Sequence, residues 1–491
     1  VAATCTDNIG VAGVQFKLNG ANLLDDTVFP YAITWDSSSS GNGTYTLSAD
    51  CRDAAGNHNV ASESVTVTSG QGGGPPVGNI FVDSNGGTCT RSATPVAYVD
   101  AAACSDLNAA YVAASGGDLV LVESGTYGVQ TIPYVNKGTS VVSFKPDGGA
   151  SLTVAGLTVN TSYVTFDGIN FPASSANAND GGGADLETPS INAPWITNVT
   201  LKNSTGLEKL DIKGDNILIQ NVTVSGLHAC LAVGGFPPGT WEDGVQVNRL
   251  DLGNGTSRAA DHVTFDNLTV HDVDRWRDPS VGAASGTTCT NGAVPHTDGM
   301  QLAGGTNIVI KNSHFYRNAT SNILASNVGG APLDHIQIEN TMTGLNLEAG
   351  GNDITIFPVG TAGASCGSTN DFVFDYDTVS AINVSCGGTP GISRGVIYRA
   401  GSYTCGNVNR NLTYTYNSFG STSDTGCSGS TGAQVCNPTF TDASRDTTGN
   451  YDLSASDTCA KAHGDPVTFP ATDIHGVTRT SVPDIGADKA G

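Results

Sequence analysis

Along most of the chain, apolar residues recur in a short alternating unit that closes on Asn or Gly. It reads Val164-x-Phe166-x-Gly168, Val199-x-Leu201-x-Asn203 and Ile217-x-Ile219-x-Asn221, then Val263-x-Phe265-x-Asn267, Ile308-x-Ile310-x-Asn312 and Ile336-x-Ile338-x-Asn340. Ile354-x-Ile356, Phe372-x-Phe374 and Leu412-x-Tyr414 are degenerate copies. Alternation of period two predicts strands with one buried face. The closing Asn suits a sharp bend, because it tolerates left-handed backbone and its amide bonds neighbouring peptide groups. Stacked coil on coil, such amides bond one another as a ladder. The interval Asn203 to Asn221 is about one coil, and longer intervals hold loops or unmarked coils. A repeated unit that cannot bury its own apolar face must stack, so the pattern predicts a right-handed parallel β-helix.

Outside this region the pattern changes. Val14-Gln15-Phe16-Lys17-Leu18 ahead of Asn19-Gly20, and Tyr45-Thr46-Leu47-Ser48-Ala49 ahead of Asp53-Ala54-Ala55-Gly56-Asn57, read as short alternating strands with turns. Ser69-Gly70-Gln71-Gly72-Gly73-Gly74-Pro75-Pro76 is a linker, flexible and then stiffened by the Pro pair. Past it, Ser105 is expected to cap a short helix, Asp106 to Ala114, followed by a strand at Leu119-Val120-Leu121-Val122 and by Gly125-Thr126-Tyr127. A helix over the open end of a solenoid shields the first coil's core and strand edges. The expected organisation is an all-β chain: a small β-sandwich over 1–69, a linker over 70–78, the β-helix with its N-terminal helical cap over 79–440, and a C-terminal tail over 441–491.

Asp7-Asn8-Ile9-Gly10-Val11-Ala12-Gly13-Val14, with Trp35 and Gly43-Thr44-Tyr45-Thr46-Leu47, resembles the bacterial Ig-like repeats of secreted carbohydrate-active and adhesive proteins. The first strand of that pattern is missing, so the chain reads as a fragment or as a module whose edge another chain completes, giving self-association by strand donation. The helix and first strands after the linker resemble the N-terminal cap of pectate-lyase-like β-helix proteins. Asn450-Tyr451-Asp452-Leu453, Thr472-Asp473-Ile474-His475-Gly476 and Pro483-Asp484-Ile485-Gly486-Ala487 resemble the C-terminal segment of secreted bacterial β-helix proteins, where a surface anchor often follows. The resemblance to that superfamily covers about residues 79–491 and is specific for fold; the superfamily includes non-enzymes, and the patterns of pectate lyases and polygalacturonases are not found.

A net charge of −24 argues against nucleic acid, whose phosphates need a basic face. No apolar run approaches the roughly 20 residues that span a bilayer. The twelve cysteines include no tight Cys-x-x-Cys pair and no zinc spacing. They are read as disulfides of an oxidising, extracellular setting, secreted or at the cell surface. The expected pairs are Cys5–Cys51, Cys89–Cys104, Cys230–Cys289 and Cys366–Cys386, with Cys405, Cys427, Cys436 and Cys459 left open. Asn-x-Ser/Thr sequons at Asn203, Asn221 and Asn267 fall on the ladder and are read as inward amides, unable to carry a sugar.

One region departs from the plain repeat. Asp243-Gly244-Val245-Gln246-Val247 and Asp298-Gly299-Met300-Gln301-Leu302 share the pattern Asp-Gly-apolar-Gln-apolar, each ahead of a ladder strand. Neighbouring coils lie roughly 4.8 Å apart, which would pair Asp243 with Asp298 and Gln246 with Gln301. Two close carboxylates share a proton, take a cation such as Ca²⁺, or split their pKa values, as acid–base hydrolysis requires. Alternatively the Asp-Gly pairs simply turn the chain and cap backbone amides. The insertion from Asp272 to Pro295 carries Arg275, Trp276 and Arg277 and leads to His296; Lys311, His314 and Arg317 follow. Trp276 suits a sugar ring, and Arg277 and Arg317 suit carboxylate or sulfate groups. With Arg249 and Arg258 these make the most basic stretch of an acidic chain; a solvated, salt-bridged loop explains them equally. The expectation is a polysaccharide-binding or -degrading protein acting on an acidic polymer. As a lyase it would use Asp243 and Asp298 on a cation, Arg275 or Lys311 as base, and His296 or His314 as acid. As a hydrolase it would use the two Asp directly. The competing expectation is a non-catalytic adhesin or filament protein.

Overall fold

The computed structural model describes all residues except 1–2, 4, 6–10, 28–30, 32, 34, 36–42, 54, 56, 68–75, 173–181, 228–242, 254–255, 274–296, 348–351, 360–362, 370, 400–404, 406–409, 421–426, 428–429, 443–447, 480–481 and 491. Near the N-terminus, Val11–Leu18, Ala21–Asp26, Gly43–Asp53 and His58–Val67 form an antiparallel sheet in the order second, first, third, fourth. Asn19-Gly20 makes the first hairpin with φ of 49° and 85°, the left-handed pair that a two-residue hairpin turn demands. Val14 and Phe16 pack under Tyr31 and Ile33, beside the Cys5–Cys51 bridge. The expectation that this module lacks its first strand bears on residues 1–10, most of which lie outside those described.

Beyond the linker one 26-stranded parallel sheet winds in coils, and its register divides it into three faces, called here the first, second and third sheets. This is a right-handed parallel β-helix. Strand Thr197–Lys213 shows how one coil turns. Its start pairs with Val164–Asp167, its middle bonds Val222 and Val224, and its end pairs with Gly182–Glu187 and Val245–Val247. It therefore contributes to the first, second and third sheets in turn. The bend at Gly206 (φ +81°) leaves no room for a side chain: a Cβ there would lie 2.1 Å from the Phe171 carbonyl oxygen.

On the first sheet the repeat stacks as predicted. Val164, Val199, Ile217, Val263, Ile308, Ile336 and Phe372 stand in register, one per coil. Two copies behave differently. Ile354-x-Ile356 belongs to the third sheet, between Ile323 and Ile382. Leu412 joins the first sheet through Gly391, a coil that the apolar pattern hides because glycine takes the apolar position.

The ladder also forms, with one correction. Asn203, Asn221 and Asn267 have left-handed φ of 53–56° and bond in series, Asn221 Nδ2 to Asn203 Oδ1 at 2.8 Å and Asn267 Nδ2 to Asn221 Oδ1 at 2.9 Å. Their side chains are exposed, not inward. What opposes glycosylation there is the amide N–H already committed to the next coil. A second left-handed column at the opposite end of the same strands, Asn198, Asn216, His262, Asn307 and His335, was not anticipated. Its residue types vary too much to stand out in sequence.

Helix Leu107–Ala113 covers the first coil. Asp106, not Ser105, is its cap, accepting the Ala109 N–H at 2.7 Å, while Ser105 Oγ bonds the Asp106 carboxylate. Ser105 sits one residue too early for its hydroxyl to reach the free amides of the first turn. Tyr111 from this helix stacks on Phe144, which stacks on Phe166, so an aromatic column closes the end of the core. Cys89–Cys104 and Cys366–Cys386 pair as expected; Cys405–Cys427 and Cys436–Cys459 complete the described bridges. The expected Cys230–Cys289 pair lies outside the described residues.

Candidate functional site

The outer face of the third sheet carries the chemistry. In strand Thr197–Lys213 the side chains of Leu210 and Ile212 enter the core, which turns Lys209, Asp211 and Lys213 outward. Register then sets Thr158, Asp185, Asp211, Gln246 and Gln301 in one column across successive coils. The sequence-based alignment of Gln246 with Gln301 is thus present in the register. Beside the column, Glu187 pairs with Lys213 at 2.7 Å and accepts Asn248 Nδ2 at 3.0 Å. Leu324 and Thr355 continue the column, and Ser326 lies in the next row.

Burial pushes the Asp211 carboxyl up to about 7, although Lys209 Nζ lies 3.1 Å from its Oδ2. Asp185 is raised too, by burial and then by Glu187. Four enclosed polar atoms on this face, Asp211 Oδ1, Gln301 Nε2, Ser326 Oγ and Thr355 Oγ1, have no hydrogen-bond partner among the described residues. Buried polar atoms are nearly always satisfied, so a row of four marks a surface that expects polar partners. Sequence reasoning missed Asp185, Glu187, Lys209, Asp211 and Lys213. The available signal was charge at every second position of Lys209-x-Asp211-x-Lys213 and Asp185-x-Glu187, on strands whose other residues are apolar.

Asp243 and Asp298 are brought together as expected, but fully buried at the corner where each coil enters the third sheet. Asp243 Oδ1 accepts the Asp298 N–H at 2.7 Å and its Oδ2 accepts Gln246 Nε2 at 3.0 Å. Each neighbouring glycine is a packing requirement: a Cβ on Gly244 would lie 2.6 Å from Val273 Cγ2, and one on Gly299 2.5 Å from Asn318 Nδ2. Burial, and then the charge of Asp298, hold the Asp243 carboxyl well above the usual range, so it keeps its proton. Both Asp243 oxygens thus already face N–H donors.

Lys311, His314 and Arg317 do not join this pair. Lys311 is on the first sheet, 3.6 Å from Asp266. Arg317 Nε bonds Asp272 Oδ1 at 2.6 Å, within a group where His271 bonds the same carboxylate and stacks on Tyr316. His314 is on the second sheet. Arg258 bonds Asp215 at 2.7 Å and lies over Trp195. Residues close in sequence are dispersed because one coil carries the chain through three faces. Arg275, Trp276, Arg277 and His296 lie outside the described residues. Ser225 and His271 end their strands on the second sheet, and Val245 and Met300 stand in register on the third.

Residues 1–49 match the family model for a bacterial Ig domain. Among solved structures, a pectate lyase, Pel9A, is similar at 13% identity, covering 84% of this chain and 96% of that one with a TM-score of 0.44. The catalytic unit of a thermostable GH87 alpha-1,3-glucanase from Streptomyces thermodiastaticus is similar at 13% identity, covering 88% of this chain and 82% of that one with a TM-score of 0.24. No curated protein matches the sequence. The stacked parallel strands make this a parallel β-helix protein, and its residues 1–49 match a bacterial Ig domain.

The raised carboxyls have a consequence for stability. Asp211, Asp243 and Asp377 hold protons in the folded state at pH values where the unfolded chain, near 3.8, has lost them. The native state then binds more protons, so stability falls as pH rises through this window. His314, lowered to about 4, opposes this only below its usual value of 6.5. The expected result is a lower melting temperature at about pH 8 than at about pH 6.5, read by circular dichroism; an unchanged or rising value would show these carboxyls ionised in the folded protein.

Proposed function

We propose that this is an extracellular protein that binds and cleaves a polysaccharide along the outer face of the third sheet. The observation that carries the reading is the row of enclosed, unpartnered polar atoms running from Asp211 through Gln301 to Ser326 and Thr355. A polymer rich in hydroxyls supplies donors and acceptors at each step along such a row. Asp211, its carboxyl near 7, is the acid–base group, and Asp185 on the adjacent coil is the second carboxyl. The described cysteines are all in disulfides, and no described helix is long and apolar enough to cross a membrane, in keeping with an oxidising compartment. Asp243 and Asp298 act here by holding Gln246 and the coil corner in place.

The face is acidic, with its two lysines paired to Asp211 and Glu187. That balance favours a neutral polymer and hydrolysis over an anionic polymer and elimination. Incubation with a panel of neutral and acidic polysaccharides tests this. New reducing ends from a neutral polymer are expected. An unsaturated, ultraviolet-absorbing product would mark the reaction as a lyase, and retention of none of the polymers would remove the reading.

A second reading rests on strand His58–Val67, which ends the sheet order of the N-terminal module and is exposed over most of its length. An open edge of this kind pairs with another chain. Light scattering showing only monomers at high concentration would dismiss assembly by that route.

A further inference from the structure

A second groove lies around the corner from the third sheet, on the outer face of the first. Thr264, Val309, Gln337 and Val373 stand in register over four coils and form its floor. One rim is the left-handed column of His262, Asn307 and His335, continued by Asp371 on the next coil. Floor and rim bound a cavity of about 310 Å³, at the small end of ligand sites. The opposite edge carries Asp266, Lys311 and Glu339, also in register. The floor column runs on through Leu218 at one end and Ile392, 40% exposed, at the other, so it is longer than the cavity.

The rim is oriented before any ligand arrives. Asp261 Oδ1 accepts Asn307 Nδ2 at 2.8 Å, and its Oδ2 lies 2.7 Å from His262 Nδ1. That leaves His262 Nε2 and Asn307 Oδ1 without a bond among the described residues. Gln337 is held likewise, its Nε2 donating to Glu339 at 2.9 Å while its Oε1 is left over. Groups fixed in this way cost little to order on binding. The occupant follows from what surrounds them. The strand backbones are already paired with neighbouring coils, so an extended peptide could add no strand to this face. Carboxylates stand on both edges, and Lys311 faces Asp266 at 3.6 Å, so an anionic chain is disfavoured. A neutral sugar offers C–H patches to Val309 and Val373 and hydroxyls to Thr264, Asn307 and Gln337. A floor that repeats once per coil suits a polymer laid along the helix axis.

We propose that the first sheet carries a second, non-catalytic groove for a neutral polysaccharide, centred on Val309 and Gln337 beside His262, Asn307 and His335. It rests on the polysaccharide reading given above but not on cleavage. Single residues, Gly214 and Gly304, carry the chain from the third sheet to the first, so the two faces adjoin. A polymer engaged on both gains through effective concentration what neither face supplies alone, whereas a short oligosaccharide gains nothing.

The test is electrophoresis of the full chain through gels containing a dissolved glucan, mannan or xylan, with polygalacturonate as the anionic control. Retardation by at least one neutral polymer is expected, and none by polygalacturonate. Val309→Arg, which fills the floor, and Gln337→Ala are each expected to weaken the retardation about 10- to 100-fold. Release of reducing ends from a short oligosaccharide of the same sugar should not change in either. Retardation unchanged in both variants, retardation by polygalacturonate alone, or none by any neutral polymer would overturn the proposal. So would a fall in mass by light scattering in Val309→Arg with retardation intact, which would give this face to a second copy of the chain. Cleavage without dependence on the groove would sink this inference and leave the third-sheet site standing; groove-dependent retardation without cleavage would do the reverse. If both variants unfold, the unmodified chain decides: the polymer should slow carbethoxylation of the exposed His262 and His335, mapped by mass spectrometry, and unchanged rates would overturn the proposal.

Discussion

Asp211→Asn is expected to leave the chain folded and able to bind its polymer while cutting cleavage about 100- to 10,000-fold, the range for loss of a general acid or base. The amide has the shape of the carboxyl but moves no proton. Asp211 is suited to the role because burial raises it to about 7, where it both holds and releases a proton near neutrality. Lys209 at 3.1 Å keeps the shift from going further. The pH–rate profile separates this role from a structural one. The limb near pH 7 should vanish in Asp211→Asn, while a merely positioning residue would lower the rate and leave the limb in place. Full activity in the variant would exclude Asp211 as the proton carrier.

Arg479→Ala is expected to cost about 3–5 kcal/mol, the loss typical when one partner of a buried charged network is removed. Arg479 is buried in the tail, where its guanidinium donates to the carbonyls of Asp484, Gly486 and Ala487 and to Asn340 Oδ1, at 2.8–3.2 Å, over the ring of Tyr376. The bond to Asn340 ties the tail to the end of a ladder link, since Asn340 also bonds Asn312 at 3.3 Å. Truncation leaves these acceptors unsatisfied and removes the counter-charge to Asp473, Asp484 and Asp488. Arg479→Lys should recover only part of the loss, because a compact ammonium has three donors and cannot reproduce the planar fork. Thermal unfolding and limited proteolysis of the tail read both variants. A melting temperature within one degree or so of the unmodified protein would show that the clamp adds little.

The coil strands were legible because each needs two apolar residues at positions i and i+2, and that need recurs at every copy. Val199-x-Leu201 and Ile308-x-Ile310 could be aligned by eye, and their register agrees. The Asn ladder was legible for a similar reason: a left-handed bend restricts residue type. Its outward direction was not, because exposure depends on which side of the bend the backbone turns. Gly391 and the His262–His335 column escaped because the backbone conformation there is met by residues with no shared pattern.

The site divides along the same line. The pairing of Asp243 with Asp298 followed from a repeated motif, since Asp-Gly-apolar-Gln-apolar sets the same corner and strand on each coil. Whether those carboxylates face a groove or the interior was decided by packing at Gly244 and Gly299, which draws the corner inward. Lys311, His314 and Arg317 looked like one basic cluster with Asp298 because they are near it in sequence; a three-sided coil places them on other faces. The sequence by itself determined the stacked strands, the ladder and most disulfide partners, all of which rest on local or periodic requirements. Only the tertiary structure assembled the column from Asp185 and Asp211 to Gln301, and the groove of Val309 and Gln337 beside His262 and His335. Those groupings depend on how many residues each coil spends before returning to the same face, which no single coil's sequence records.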